Sequence, residues 1–320
     1  MHAAAINLRG GVSPRNTLLR GQSIIEYVLI IAVIGLVIVF AGPGVAGAIR
    51  NQFNQVTNTV NSGTADTEGG GASGGGDTGT ASATVQAAIA KDAKDWTLDE
   101  QKAVAEDIAA KGEASAAYVK AKAAMEAGIE WSVKLTNGET MTYRIIGINH
   151  DDLADGSGKA GLSFEATSYL GGWYFNADGE NAGGWEKSEL RSCLNAGNGW
   201  ARLPSELQSK VKAVTKMTDN RGGGSAGTPS ATTDKIFLLS ITEVYGDLKS
   251  DGSQYEYYRG KGVTKDNYSG AVIGNFGDSP RTTRSTNSTQ WMQMWCIAQG
   301  RPLDNKHGAE PGLICPAWCF

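Results

Sequence analysis

Histidine is scarce in this 320-residue chain: there are three, and two of them stand far apart in the downstream sequence. That leaves little material for a histidine-ligated metal centre or a histidine-relayed nucleophile. Surplus basic charge is missing as well, since 29 Lys and Arg against 33 Asp and Glu give a net charge of −4. A nucleic-acid binder would need a basic face, so that class is set aside. Charged residues total only 19%, below the usual quarter, and no cysteine precedes Cys193. What the chain has in excess is glycine, with 43 residues, nearly twice the ordinary share of about 7%. An apolar share of 41% is enough to build a core, which argues against global disorder. The length suits roughly two domains.

Residues 1–21 are polar and basic, with Arg9, Arg15 and Arg20. An uncharged stretch of 23 residues then runs from Tyr27 to Ile49, and about 20 suffice to cross a bilayer as a helix. The basic flank predicts that the leader stays cytoplasmic and the rest is exported. A secretory signal would have a shorter apolar region and then a small-residue cleavage site, so the segment does not read as one. Glu26 stands at the lip of the apolar run. A carboxylate at the edge of hydrocarbon is costly and points to a function with a partner. Gly42-Pro43-Gly44 interrupts the run, where Pro removes a helical hydrogen bond and Gly weakens its flanks. Beyond it Ile49, Phe53, Val56 and Val60 recur at helical spacing and form one apolar face.

The string Arg20-Gly21-Gln22-Ser23-Ile24-Ile25-Glu26-Tyr27 resembles the processing site of type IV prepilins, most closely the Flp (Tad) pilins. The resemblance implies cleavage between Gly21 and Gln22 by a membrane-embedded aspartate peptidase. It also implies that Glu26, beside Tyr27, pairs with the new α-amino group of a neighbouring subunit during assembly. On that reading residues 1–21 are a prepilin leader and 22–61 a transmembrane and assembly helix. The partners are then other pilin subunits, the prepilin peptidase and the assembly machinery. The chain would sit in the cytoplasmic membrane before assembly and in an extracellular pilus afterwards.

Residues 62–83 are almost wholly Gly, Ser, Thr, Ala and Asp. Such a segment cannot bury enough apolar surface to order itself, and it reads as a flexible tether spanning about 25 Å. Residues 84–127 are rich in Ala, Lys and Glu and read as short helices, a spacer without chemistry. Thr97 and Glu100 have capping-box spacing, and Gly112 and Gly128 stand where helices would end. Residues 128–320 read as an α+β globular domain with short strands and long loops. Asn137-Gly138 lies between the alternating runs Trp131–Leu135 and Met141–Ile145, which predicts a hairpin. Further strands are expected over 162–167, 235–241, 290–298 and 312–320, and helices over 185–194 and 205–214.

Five strings in this domain resemble an uncharacterised extracellular domain family, of unknown function, found in Gram-positive surface proteins. They are Tyr143–Asp152, Gly183–Ser192, Leu203–Leu207, Thr232–Ser240 and Pro316–Phe320, and together they span about residues 128–320. The layout is similar to C-type-lectin-like and sulfatase-modifying-factor folds. The chain departs from the family at Thr282-Thr283-Arg284-Ser285, which lacks a preceding Trp, and at Cys193, where an aromatic is common.

On an exported chain the even set Cys193, Cys296, Cys315 and Cys319 favours two disulfides over a metal site, because the spacing suits no usual zinc motif. Of three connectivities the preferred one is Cys193–Cys315 with Cys296–Cys319. Cys315 and Cys319, at i and i+4 of one expected strand, are too far apart to bond each other. Asp151, Asp152 and Asp155, and separately Asn176, Asp178 and Glu180, could offer oxygens to calcium, but neither set has EF-hand spacing. No other cofactor or metal is expected. His150 beside Asp151 reads as a solvated turn histidine, since no motif supplies a nucleophile. Trp173, Tyr174, Trp185, Trp200, Tyr255, Tyr257, Tyr258, Trp291 and Trp295 divide between core and exposed contacts with a glycan or protein.

The sequence therefore reads as a subunit of a Flp-type pilus, structural or tip-located, displaying its C-terminal domain for adhesion or surface interaction. A membrane-tethered binding protein that does not polymerise is the alternative. No catalytic residue is expected, and an exported enzyme finds no supporting constellation.

Overall fold

The computed structural model describes residues 81–246, 248, 249, 251–274 and 279–320. Gly21, Gln22, Glu26, Tyr27, the apolar run and the tether up to residue 80 lie outside the described residues. The described residues belong to one compact unit, Gly76–Phe320. No helix among them is long and apolar enough to cross a membrane.

Three helices come first: α1 (Ala83–Ala90), α2 (Leu98–Lys111) and α3 (Tyr118–Ala127). The expected capping box opens α2, with Thr97 Oγ1 accepting from Glu100 N at 3.2 Å and the Glu100 carboxylate accepting from Thr97 N at 2.7 Å. Gly128 closes α3 at φ +67, the left-handed cap that glycine adopts without strain. Four strands follow: β1 (Glu130–Lys134), β2 (Thr140–Ile148), β3 (Leu162–Ala166) and β4 (Gly171–Trp173). Next are α4 (Gly184–Lys187), α5 (Glu189–Ala196), α6 (Asn198–Arg202) and α7 (Ser205–Gln208). The hairpin β5 (Val214–Thr218) and β6 (Ser230–Asp234) leads into β7 (Ile236–Phe237). The helices α8 (Ile241–Tyr245), α9 (Glu256–Gly260) and α10 (Gly270–Ile273) precede the last strands. Those are β8 (Arg281–Thr286), β9 (Gln293–Ala298), β10 (Arg301–His307), β11 (Gly312–Ile314) and β12 (Ala317–Cys319).

The strands form two five-stranded sheets, ordered β1-β2-β3-β12-β7 and β10-β9-β8-β11-β4, with β5-β6 apart. The domain is thus α+β. The hairpin at Asn137-Gly138 sets Trp131 opposite Tyr143 and Val133 opposite Met141. Because side chains alternate between faces, this register places Trp131, Val133, Met141, Tyr143, Ile145, Phe164 and Trp318 on one face of the first sheet.

The leading helices close over that aromatic face. Trp96 stacks on Trp131 at 6.2 Å between centroids, and Trp131 Nε1 donates to Ala93 O at 2.8 Å. The Tyr143 hydroxyl donates to Gln101 Oε1 at 3.0 Å. Gly161 lets the α2 backbone come close, since a Cβ there would lie 1.8 Å from Ala105 O. Residues 84–127 are therefore built into the same core as the sheet rather than standing apart as a spacer.

The expected strand over 312–320 is two strands in two sheets. β11 pairs with β4 and β8, whereas β12 pairs with β3 and β7. The change of sheet falls at Cys315-Pro316, and Pro, lacking an N–H, cannot carry a ladder on. The expected strand over 235–241 shrinks to β7, because Ser240 and Glu243 form a second capping box that starts α8. Of the expected helix over 205–214 only α7 is present, and Val214 begins β5.

Candidate functional site

The other face of the first sheet carries charge. Arg144 lies opposite Glu165 across β2 and β3. The Glu165 carboxylate accepts from Arg281 of β8 and from the Tyr258 hydroxyl. Arg144 lies over the Tyr257 ring at 4.1 Å and donates to its hydroxyl at 2.9 Å and to Val272 O at 2.7 Å. Isolated charges are far too costly to bury, so each of these is held by an opposite charge or a hydrogen bond.

Beside this lies a second buried network. Lys216 of β5 bridges Asp151 and Glu243, each at 2.6 Å, and Glu243 is held in turn by Arg284 Nη2 at 2.8 Å. Arg284 also donates to Thr218 Oγ1 at 2.8 Å and Leu238 O at 2.9 Å. Burial alone would raise the Asp151 carboxyl, but the Lys216 charge, the neighbouring His150 and the Ser163 hydroxyl hold it well below the usual range. Burial likewise opposes ionisation of Glu243, and Arg284 and Lys216 outweigh it. Lys216 is raised because its two carboxylates overcome the desolvation of its ammonium.

His150 sits at the rim of this network, between sheet and helix. Its ring stacks on Tyr255 at 4.0 Å between centroids, and Tyr255 is anchored by donating to Asp151 Oδ2 at 2.9 Å and accepting from Lys216 at 3.1 Å. His150 Nδ1 lies 3.1 Å from Glu256 Oε1, and Nε2 lies 3.3 Å from Ser253 Oγ. The tautomer that satisfies both carries its proton on Nδ1, donates to Glu256 and accepts from Ser253. Burial would raise Glu256, yet the hydrogen bond from His150, with Arg259 nearby, keeps it low. Only 9% of the His150 side chain is exposed, which corrects the reading of a solvated turn histidine. Its partners stand 103 and 106 residues downstream, beyond the reach of any local motif. A cleft of about 470 Å³ opens at Glu256, lined also by Met125, Ile148, Tyr257, Lys122 and Arg259.

The expected disulfides are absent: Cys193, Cys296, Cys315 and Cys319 are all free thiols. Their surroundings explain it. Cys319 donates to Asp151 Oδ2 at 3.3 Å on the charged face, while Cys296 belongs to β9 in the other sheet. Cys193 lies on α5 and accepts from Gly199 N at 3.3 Å. Cys315, just before the change of sheet, is buried within the field of Arg281. Burial pushes the Cys296 thiol up to about 11 and the Cys315 thiol up to about 12.

The oxygen-rich turns have other occupations. Asp151 is ion-paired within the core, Asp152 pairs with Lys159, and Asp155 accepts from the Ser157 hydroxyl and N–H. Asp178 accepts from Glu180 N, and Asn176 donates to Glu180 O while accepting from Glu189 N. No cluster of three metal-ligating side chains occurs among the described residues. Trp185, Tyr255, Tyr257 and Tyr258 belong to the core, whereas Tyr169, Tyr174 and Trp291 are about half exposed.

Residues 166–307 match a family described as a domain of unknown function (DUF6273). No curated protein and no solved structure matches the chain. The matched segment runs from the end of β3 to the end of β10 and includes Lys216, Glu243, Ser253, Glu256 and Arg284. It leaves out His150, Asp151 and β12.

Proposed function

We propose that the chain is a subunit of a Flp-type pilus, structural or tip-located, whose C-terminal domain is displayed outside the cell for adhesion or surface interaction. The observation that carries the display half is the position of the compact unit. It begins at Gly76, inside the glycine-rich tether, and its core is assembled from residues within Gly76–Phe320. A unit with its own core can be carried by an independent stem. The assembly half rests on Gly21, Gln22, Glu26 and Tyr27 and on the apolar run behind them. The exposed rings of Tyr169, Tyr174 and Trp291 support contact with a glycan or protein surface.

Mass analysis of protein sheared from the cell surface tests the reading. The mature chain is expected to begin at Gln22, and Gly21→Val to leave the precursor uncut in the membrane. Glu26→Ala should still be processed but fail to polymerise. Met1 retained on surface protein would overturn the pilin reading. Wild-type filament yield from Glu26→Ala would favour a tether that does not polymerise.

A further inference from the structure

We propose that Ser253, His150 and Glu256 form a nucleophile, base and orienting carboxylate that hydrolyse carboxylic esters at the rim of the displayed domain. The inference goes beyond display and does not depend on it. Its first support is which atom meets which. The hydroxyl lies on Nε2 at 3.3 Å and the carboxylate on Nδ1 at 3.1 Å, the division of labour a serine nucleophile requires. Ser253 is exposed, so a substrate can reach it.

The second support is rigidity, without which three hydrogen-bonding groups are only a surface cluster. The loop bearing Ser253 is pinned on both sides. Asp251 O accepts from Ser240 Oγ at 2.7 Å, Tyr255 N donates to Glu243 O at 3.0 Å, and Gln254 Nε2 donates to Val244 O at 2.9 Å. The His150 ring is fixed from below by Tyr255. Gly147 keeps the space, since a Cβ there would lie 3.0 Å from both Glu256 Oε2 and His150 Cβ. The backbone N–H groups of Ser253 and Gln254 donate to no described residue, as free donors for a developing oxyanion must.

The chemistry balances with water alone. Ser253 Oγ attacks the ester carbonyl carbon as its proton passes to His150 Nε2. The tetrahedral intermediate collapses, the bond to the alcohol oxygen breaks, and the alcohol leaves with that proton. Water then gives a proton to Nε2, attacks the acyl-serine and releases the acid, and the proton returns to Ser253.

The full-length chain, treated with a fluorophosphonate probe and assayed on p-nitrophenyl acetate, provides the test. The probe should be found on Ser253 by peptide mass analysis, and hydrolysis should vanish in Ser253→Ala, an exposed change that leaves the melting temperature intact. His150→Gln should slow both reactions by about a hundred- to ten-thousand-fold. Glu256→Gln should lower kcat with KM unchanged, and Glu256→Asp should recover part of the loss, a split that a merely structural carboxylate would not produce. An unlabelled Ser253 overturns the proposal, as does labelling that His150→Gln leaves unslowed or hydrolysis equal to that of Ser253→Ala.

Discussion

Lys216 touches two carboxylates and lies over the faces of the Phe237 and Tyr255 rings, and 3% of its side chain meets solvent. Removing its ammonium strands Asp151 and Glu243 beside each other without their shared cation. Lys216→Met should therefore cost about 3–5 kcal/mol, read from urea unfolding. The same cluster sets the pH limits of stability. Asp151 and Glu243 titrate lower folded than unfolded, so their contribution is present above their unfolded values, about 4, and fades as pH falls further. Lys216 is raised on folding, so its contribution is present below its unfolded value, about 10.4, and is lost as pH rises through its folded one. The melting temperature should be level from pH 7 to about 5 and fall below about 4. Thiol chemistry gives a second test at this scale. Cys296, Cys315 and Cys319 are buried while Cys193 is partly open. Iodoacetamide at pH 8 should modify at most one cysteine in the native chain and four after unfolding, and reductant should leave the melting temperature unchanged.

Among the elements, α1 to α3 are the ones whose removal discriminates. A chain begun at residue 128 would uncover Trp131 and Tyr143 and lose the partners at Ala93 and Gln101. It should be aggregated or molten by near-ultraviolet circular dichroism, whereas one begun at residue 81 should give a cooperative melt. Elements set by local rules were legible in the sequence. The Asn137-Gly138 hairpin and the Thr97–Glu100 capping box need only neighbours within a few residues, and both are present. The second capping box, Ser240 to Glu243, was equally local, and reading it would have ended the strand at β7. β8 was not legible. Its six residues, Arg-Thr-Thr-Arg-Ser-Thr, are all buried and none is apolar, so a search for apolar alternation passes over it. What makes that strand a core element is Glu165 and Glu243, supplied from distant positions to Arg281 and Arg284. The Ser253, His150 and Glu256 arrangement was hidden for the same reason: its members meet only once both β2 and α9 are in place.

At the scale of the molecule, the first sheet is joined by one late strand. Ala317–Cys319 lies between Leu162–Ala166 and Ile236–Phe237, and both neighbours leave the ribosome long before it does. Until residue 319 has been made, the first sheet is two separate pieces, and Phe164 lacks the Trp318 ring that stacks on it. Contacts joining such distant segments form slowly. On the display reading that delay is an advantage, because a polypeptide threaded outward during synthesis must remain unlocked while it passes. This strand works as a latch, and it engages only when the rest of its sheet has been produced.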